Sequence, residues 1–264
     1  MNFRRICRIA AGQKCGSDAG ESISSMRKWL AIAFAIAIFM LPAQGVRSGN
    51  SETRESRFSV YSHGLRIGEA TSVCSLSNSG EHNSFRFSNS TRINANFLIR
   101  SYSLENHEDA VVGKEGTLRY SRSGKENGVA TTVEGALENN EFRLRITENN
   151  SPRTLAIPRE RYDYTTMECP EIRLKHEGEK MTARLLDLEN LEVVTRHYNW
   201  VRSEELQIGG RKYTFRVVDF EDKNKKCRRW VRPDNVGVMI ARQEGQGKSG
   251  AYSVKLVEYK SLVN

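Results

Sequence analysis

Alternation of apolar and polar residues dominates the chain after about residue 56. In one segment Phe142, Leu144 and Ile146 alternate with Arg143 and Arg145. Successive residues of a strand point to opposite faces of a sheet, so this period of two predicts half-buried antiparallel strands. The pattern recurs at 57–60, 85–87, 117–121, 212–217 and 252–256.

Turn-forming residues separate these segments and predict a long meander of about eleven or twelve strands. Gly, Asn, Asp and Pro supply the backbone conformations that tight turns need. Gly209-Gly210 is a two-residue hairpin signal. The other predicted turns are His63-Gly64, 123–128, Asn139-Asn140, Pro233-Asp234-Asn235 and Gly245–Gly250.

Residues 158–190 interrupt the alternation, and we predict there a loop with one or two short helices. Pro170 prevents a single helix across this region. The sequence therefore predicts one all-β domain, 56–262. Its fold would be a strongly curved, mainly antiparallel meander, an open or half β-barrel, with the helical insert against the concave side. A two-sheet β-sandwich is the alternative.

The start of the chain has the pattern of an export signal. Arg27 and Lys28 precede a thirteen-residue apolar run from Trp29 to Leu41, and small residues lead to Gly45. This order is typical of a secretory signal peptide at 26–45, cleaved near Gly45. We interpret residues 1–25 as an over-extended start and 46–55 as a flexible lead-in. The predicted location is the periplasm or the exterior.

Composition narrows the partner classes. The chain has 264 residues and a net charge of +9 at neutral pH. Removing residues 1–45, which hold six Lys/Arg and two acids, leaves +5. Together with export, this modest charge argues against nucleic acid as a partner.

Cys74, Cys169 and Cys227 remain after the signal peptide. An oxidising compartment permits disulfides, but three thiols form at most one intramolecular pair. A Cys169–Cys227 disulfide is the preferred pairing, and three buried unpaired thiols are the alternative.

Motifs for catalysis or cofactors are weak. Gly245 to Gly250 matches G-x-G-x-x-G, but a strand-like segment follows where a dinucleotide site needs a helix. The five histidines lack helical metal-ligand spacing, and no G-x-S-x-G is present. We therefore predict no catalytic residues, no cofactor, no metal and no enzymatic activity.

Two residue groups are candidates for binding. A basic cluster could contact an anionic surface such as lipid head groups; it comprises Lys223, Lys225, Lys226, Arg228, Arg229 and Arg232. Tyr198, Trp200 and Trp230 could line an apolar concavity. A solvated strand edge and ordinary core packing are the respective alternatives.

Two segments carry a family resemblance. Phe58–Gly68 (FSVYSHGLRIG) and Cys227–Gly237 (CRRWVRPDNVG) resemble a family of exported bacterial proteins of unknown function, whose chains open with a G-x-x-I-G hairpin. The resemblance implies an envelope location and a curved antiparallel sheet similar to that of periplasmic lipoprotein carriers. It implies no catalytic residues.

The leading functional hypothesis is a non-enzymatic periplasmic protein that binds an apolar or amphiphilic ligand, or a client, in the concave face. A curved sheet has an apolar inner face that side chains or a ligand must fill. The alternative is an envelope structural or interaction protein with a filled core and no pocket, which would use its outer face and could touch the membrane peripherally. An exported hydrolase is the least supported hypothesis.

Overall fold

The computed structural model describes residues 52–79, 82–97, 100–247 and 250–263. The predicted signal peptide and most of the lead-in lie outside these residues. The strands are β1 (Glu52–Ser62), β2 (Leu65–Ser79), β3 (His82–Phe97), β4 (Arg100–Gly113), β5 (Gly116–Glu126), β6 (Val129–Glu138), β7 (Glu141–Glu148), β8 (Ser151–Pro158), β9 (Tyr164–Thr165), β10 (Lys180–Asp187), β11 (Glu192–Ile208), β12 (Arg211–Glu221), β13 (Lys226–Asp234), β14 (Gly237–Gly247) and β15 (Gly250–Val263).

All fifteen strands belong to one curved sheet that does not close by strand pairing. Its order is β8-β7-β6-β5-β4-β3-β2-β1-β15-β14-β13-β12-β11-β10-β9. Every pair is antiparallel except β9 with β10. The predicted curved meander is thus confirmed over the alternative of a two-sheet sandwich. The first and last strands pair with each other in the middle of the sheet.

Among the described residues, five hairpins turn through two residues that both have positive φ, as type I′ turns require. These turns match the right-handed twist of the flanking strands. They are His63-Gly64, Asn127-Gly128, Asn139-Asn140, Asn149-Asn150 and Gly209-Gly210.

The structure corrects the predicted bounds of several connections. β5 continues to Glu126, so only Asn127-Gly128 turns within the predicted 123–128 link. Asp234 still belongs to β13, and β14 and β15 include Gly247 and Gly250. Polar residues on the strands near these turns hid the continuing alternation.

The 158–190 insert contains two single-turn 3₁₀ helices, Arg159–Arg161 and Pro170–Arg173. Its last part is a strand, β10, rather than a helix. The alternation fades there because Leu185, Leu186 and Asp187 are buried in succession. Neighbours on both faces of a strand remove the polar half of the pattern.

The core has two parts. The larger lies on the inner face of the sheet and includes the insert residues Met167, Cys169, Ile172 and Leu174. The smaller lies on the other face of β12 to β14 and contains Phe215, Val217, Trp230, Met239 and Ala241. Burial on both faces explains how one sheet supplies a complete core.

The free edge of β8 is short and carries proline at both ends, at positions 152 and 158. Proline has no backbone N–H and cannot donate to an added strand. Only the window between the two prolines remains open to further pairing.

Gly68 permits close contact between β2 and β3. A Cβ at this position would lie 2.3 Å from the carbonyl oxygen of Arg92 and 2.9 Å from the Cα of Ile93. We therefore expect G68A to lower the free energy of unfolding by about 1–3 kcal/mol, the range for overpacking. Urea denaturation would measure this loss.

The control is G128N, in a turn where a Cβ meets nothing within 4 Å and Asn tolerates the positive φ. Equal losses for G68A and G128N would contradict the proposed backbone contact.

Candidate functional site

One end of the sheet, with edge strand β9 and the β10–β11 turn, meets the interior strand β5 along a seam made by side chains. Arg122 Nη1 of β5 donates to the carbonyl oxygens of Leu188 and Glu189, each at 3.3 Å. Lys225 Nζ, from the β12–β13 turn, donates to Glu189 Oε2 at 2.9 Å. The β10–β11 turn is thereby held against β5. We call these contacts, with those of Glu168 described next, the seam.

Glu168 fastens the insert to β5. Its Oε1 accepts hydrogen bonds from Thr117 N, Thr117 Oγ1 and Thr165 N at 3.1–3.2 Å. The hydroxyls of Thr117 and Thr165 lie 2.6 Å apart. Burial raises the pKa of Glu168, although these hydrogen bonds partly oppose it. Side-chain hydrogen bonds therefore hold edge strand β9 against β5, because the two strands form no backbone ladder with each other.

A buried carboxyl lies behind the seam. Tyr120 OH donates to Glu108 Oε1 at 2.8 Å, and Glu108 is almost fully buried. Burial raises the pKa of Glu108, while Arg122 and the Tyr120 hydroxyl act in the opposite direction. Burial likewise raises the pKa of Glu189, against the favourable charge of Lys225.

Three further ion pairs occupy the interior: Arg196–Asp222 at 2.7 Å, Arg229–Glu171 at 2.8 Å, and Arg54–Asp234. The three arginines are buried. Removing one partner of such a pair would leave an uncompensated buried charge, which is strongly destabilising. These pairs, with the apolar core, fill much of the space on the inner face.

The three cysteines are free buried thiols. Arg54 Nη2 lies 3.4 Å from Cys74 Sγ, and Cys227 Sγ lies 3.2 Å from the Tyr252 hydroxyl. The preferred Cys169–Cys227 disulfide is not formed in the structure, which instead shows the alternative of unpaired thiols. Burial raises the pKa of all three thiols, so less of each cysteine is in the reactive thiolate form.

The predicted basic cluster does not form one exposed surface. Lys225 and Arg229 point inward to Glu189 and Glu171. Three others pair with carboxylates at the surface: Lys223 with Glu192, Lys226 with Glu221, and Arg228 with Asp219. The Arg232 guanidinium lies 4.8 Å from the centre of the Tyr213 ring. Successive side chains of a strand point to opposite faces of the sheet, so the basic residues of this segment are divided between the two faces.

The three candidate aromatic residues are buried in two separate cores. Tyr198 packs against Phe220 in the larger core, with ring centres 5.8 Å apart, and Trp200 belongs to the same core. Trp230 lies in the smaller core on the opposite face. The three side chains do not line a common concavity, and each takes part in ordinary core packing, which was the alternative prediction.

A long groove of about 870 Å³ lies on the exposed face of β3 to β8. Strand register places arginines and small residues alternately across it, in the order Arg86, Val111, Arg119, Ala136, Arg143, Ala156. Neighbouring strands are about 4.8 Å apart, so the arginine backbones are spaced roughly 10 Å apart. We call this row and its surroundings the arginine groove.

Cation pairing within the arginine groove is incomplete. Arg143 pairs with Glu141 at 3.3 Å. Among the described residues, Arg86, Arg119 and Arg145 have no carboxylate within ion-pairing distance. Exposed, unpaired guanidinium groups remain free to bind an added carboxylate or phosphate.

One exposed cross-strand cluster has the residue types of a hydrolase. Ser90 Oγ lies 2.9 Å from His107 Nδ1, and His107 Nε2 lies 2.9 Å from Asp109 Oδ2. The His107 and Asp109 side chains are about half exposed, at 49% and 46%. Preorganised groups act most strongly where water is excluded, so this exposure weakens the catalytic potential of the cluster.

Sequence reasoning missed the seam, the arginine groove and the Ser90 cluster. Each is assembled from residues that face the same way on neighbouring strands, which requires the register. Isolated Arg or Glu residues at alternating positions look like ordinary solvated strand positions. Within the described ranges, no group of three or more metal-ligating side chains comes together. No helix in that part of the chain is long and apolar enough to span a membrane.

No protein-family model matches the chain, and no curated protein matches it. A solved structure of similar fold is a β-barrel-like protein of a domain of unknown function, DUF1849, from Brucella abortus. The match has a TM-score of 0.57 at 11% identity and covers 80% of this chain and 98% of that one. It shows the fold alone.

A second match is a candidate exported protein with a YmcC-like fold from Bacteroides fragilis. Its TM-score is 0.30 at 13% identity, and the match covers 85% of this chain and 100% of that one. A TM-score this low does not show a shared fold. The barrel-like neighbour of unknown function agrees with the coarse part of the family resemblance. The opening hairpin motif is not tested by either match.

The raised pKa of Glu108 predicts a pH dependence of stability. The folded protein keeps a proton on this carboxyl at pH values where the unfolded chain, near its ordinary pKa of 4.5, has lost it. This stabilising contribution is complete below pH 4.5 and is lost as the pH rises through the folded pKa. We expect E108Q to gain stability relative to the wild type as the pH rises from 4 to 8.

Chemical denaturation at several pH values would measure this difference. E134Q makes the same substitution on the exposed face of β6 and serves as the matched control. The same trend in both variants would rule out Glu108 as its source.

Proposed function

We propose that this protein is a non-enzymatic binding protein of the cell envelope, with a filled interior, that recognises its partner through the arginine groove. The observation that carries the proposal is the contrast between the two faces of β3 to β8. The inner face is packed by core side chains, whereas the exposed face holds an open groove with unpaired cations.

The filled inner face favours this proposal over an amphiphile bound in the concavity. Insert residues such as Met167, Cys169 and Leu174 already occupy the inner side. Tyr198 and Trp230, which could have lined a ligand cavity, pack in different cores. A client on the outer surface requires no rearrangement of these groups.

The arginine groove is lined by four arginines and by three carboxylates, those of Asp109, Glu134 and Glu138. This composition suits a partner that carries negative groups beside some positive charge and some apolar surface. Guanidinium groups bind carboxylates and phosphates through paired hydrogen bonds. Val111, Ala136 and Ala156 lie between them and leave room for contact with the sheet. The predicted export signal at 26–45 supports an envelope location.

Native mass spectrometry of protein purified from its own envelope tests the filled interior. We expect a polypeptide that begins near residue 46 and carries no lipid or other amphiphile. A lipid or other amphiphile that remains bound in the native state and is lost on denaturation would contradict the proposal and restore the carrier hypothesis.

Site-specific photo-crosslinking tests the groove. A photoreactive amino acid at Ala156, in the groove, should give discrete adducts in cells, and one at the exposed Ala251 should not. R119E/R145E should reduce the Ala156 adducts at least about tenfold. The charge-matched R66E/R211E variant should leave them unchanged; equal effects of the two variants would exclude the groove.

The Ser90 cluster supports exported hydrolase activity as a second candidate function. In this case Ser90 Oγ would attack an ester carbonyl, His107 would take the hydroxyl proton and pass it to the leaving alcohol, and water would release the acyl group. Asp109 would orient His107.

Hydrolysis of p-nitrophenyl acetate separates the two candidates. The binding proposal expects the same background rate from the wild type, S90A and the nearby control S121A. A loss of about 100-fold or more, confined to S90A and H107A, would instead establish the hydrolase.

A further inference from the structure

A small pocket of about 140 Å³ lies where the seam joins β4, β5 and β6 to the β10–β11 turn. It is distinct from the arginine groove, which occupies the exposed face. Its polar lining includes Asn106, Arg122, Lys125, Glu126, Thr131 and Glu189. The pocket therefore brings together groups from both halves of the sheet.

The pocket contains a buried polar group without a partner. Asn106 Nδ2 is inaccessible to solvent and makes no hydrogen bond to the described residues. Gly124 makes space for this amide, because a Cβ there would lie 2.8 Å from Asn106 Oδ1. Burying an unsatisfied N–H group costs about 1–3 kcal/mol, so a rotation of this amide toward a hydrogen-bond acceptor in the pocket would be stabilising.

Charges of both signs face the pocket. Arg122 and Lys125 contribute cations, and Glu126 and Glu189 contribute carboxyl groups. Tyr102 OH donates to one oxygen of Glu126, at 3.2 Å, and Lys225 to one oxygen of Glu189. The second oxygen of each carboxyl has no hydrogen bond to the described residues. Burial raises the pKa of Glu126, an effect that a bound cation would offset.

Size limits the ligand. A protein cavity of roughly 150 Å³ holds benzene, which has six heavy atoms. A molecule of six to eight heavy atoms carrying both an ammonium and a carboxylate group fits this volume and lining. The smaller α-amino acids have this composition.

We propose that the seam pocket binds a small zwitterion of the α-amino acid class. Its ammonium group lies between Glu126 and Glu189, and its carboxylate faces Arg122, Lys125 and the Asn106 amide after that amide has rotated. Because these residues come from β4, β5 and the β10–β11 turn, the bound molecule reinforces the seam. This site does not depend on recognition through the arginine groove.

The test uses the mature full chain with alanine, serine and proline as probes. Isothermal titration calorimetry should detect saturable binding of at least one probe, and that probe at 10 mM should raise the melting temperature. Acetate and methylammonium, each carrying half of the zwitterion, should bind at least tenfold more weakly. Sodium chloride at the same concentration controls for ionic strength.

Two variants locate the site. E126Q preserves the shape and the acceptor for Tyr102 but removes the charge, and N106L fills the pocket. Each should weaken binding at least tenfold, while E138Q, the same change at an exposed position on β6, should have no effect. Circular dichroism establishes that each variant is folded.

Absence of saturable binding for all three probes would overturn the proposal. So would equal binding by E126Q and E138Q, or half-molecules that bind as tightly as the zwitterion. None of these results would affect crosslinking at the arginine groove, so the two proposals fail separately.

Discussion

The bonds from Arg122 to the β10–β11 turn hold the curved sheet together near one of its two edges. A fifteen-stranded sheet that does not close leaves two edges, each with unpaired backbone groups. Here the edge strands β8 and β9 are consecutive in the chain, and β9 is fastened across the gap to β5 through Thr117, Thr165 and Glu168. Directional side-chain bonds hold the β9 edge against the interior strand β5, whereas the edge of β8 stays free.

Rolling the sheet in this way places charge inside it. The charged groups of Arg122, Glu189 and Lys225 are withdrawn from water. Their burial is tolerated because Glu189 compensates the charge of the two cations. An apolar closure could pack in several registers. A network of bonds with fixed donors and acceptors permits fewer arrangements, so the position of the insert is defined at the cost of desolvation.

Local patterns were sufficient to predict the strand-rich class, the single curved sheet and most turns. Phe142, Leu144 and Ile146 show their inward face in the sequence itself, and Gly209-Gly210 marks its hairpin. β10 was missed because both of its faces become buried. Lys225 and Arg229 looked like solvated charges, since a linear pattern shows neither register nor the carboxylates opposite them. The candidate sites depend on the same long-range information.

Pairing of β1 with β15 at the centre of the sheet has a consequence for biogenesis. β1 emerges from a ribosome or a translocation channel long before β15, which is one of its two neighbours in the sheet. Contacts between such distant segments form slowly, because the intervening chain must be brought together first. Completion of the central ladder therefore waits until β15 has emerged, and during that interval the unpaired side of β1 needs protection from other chains.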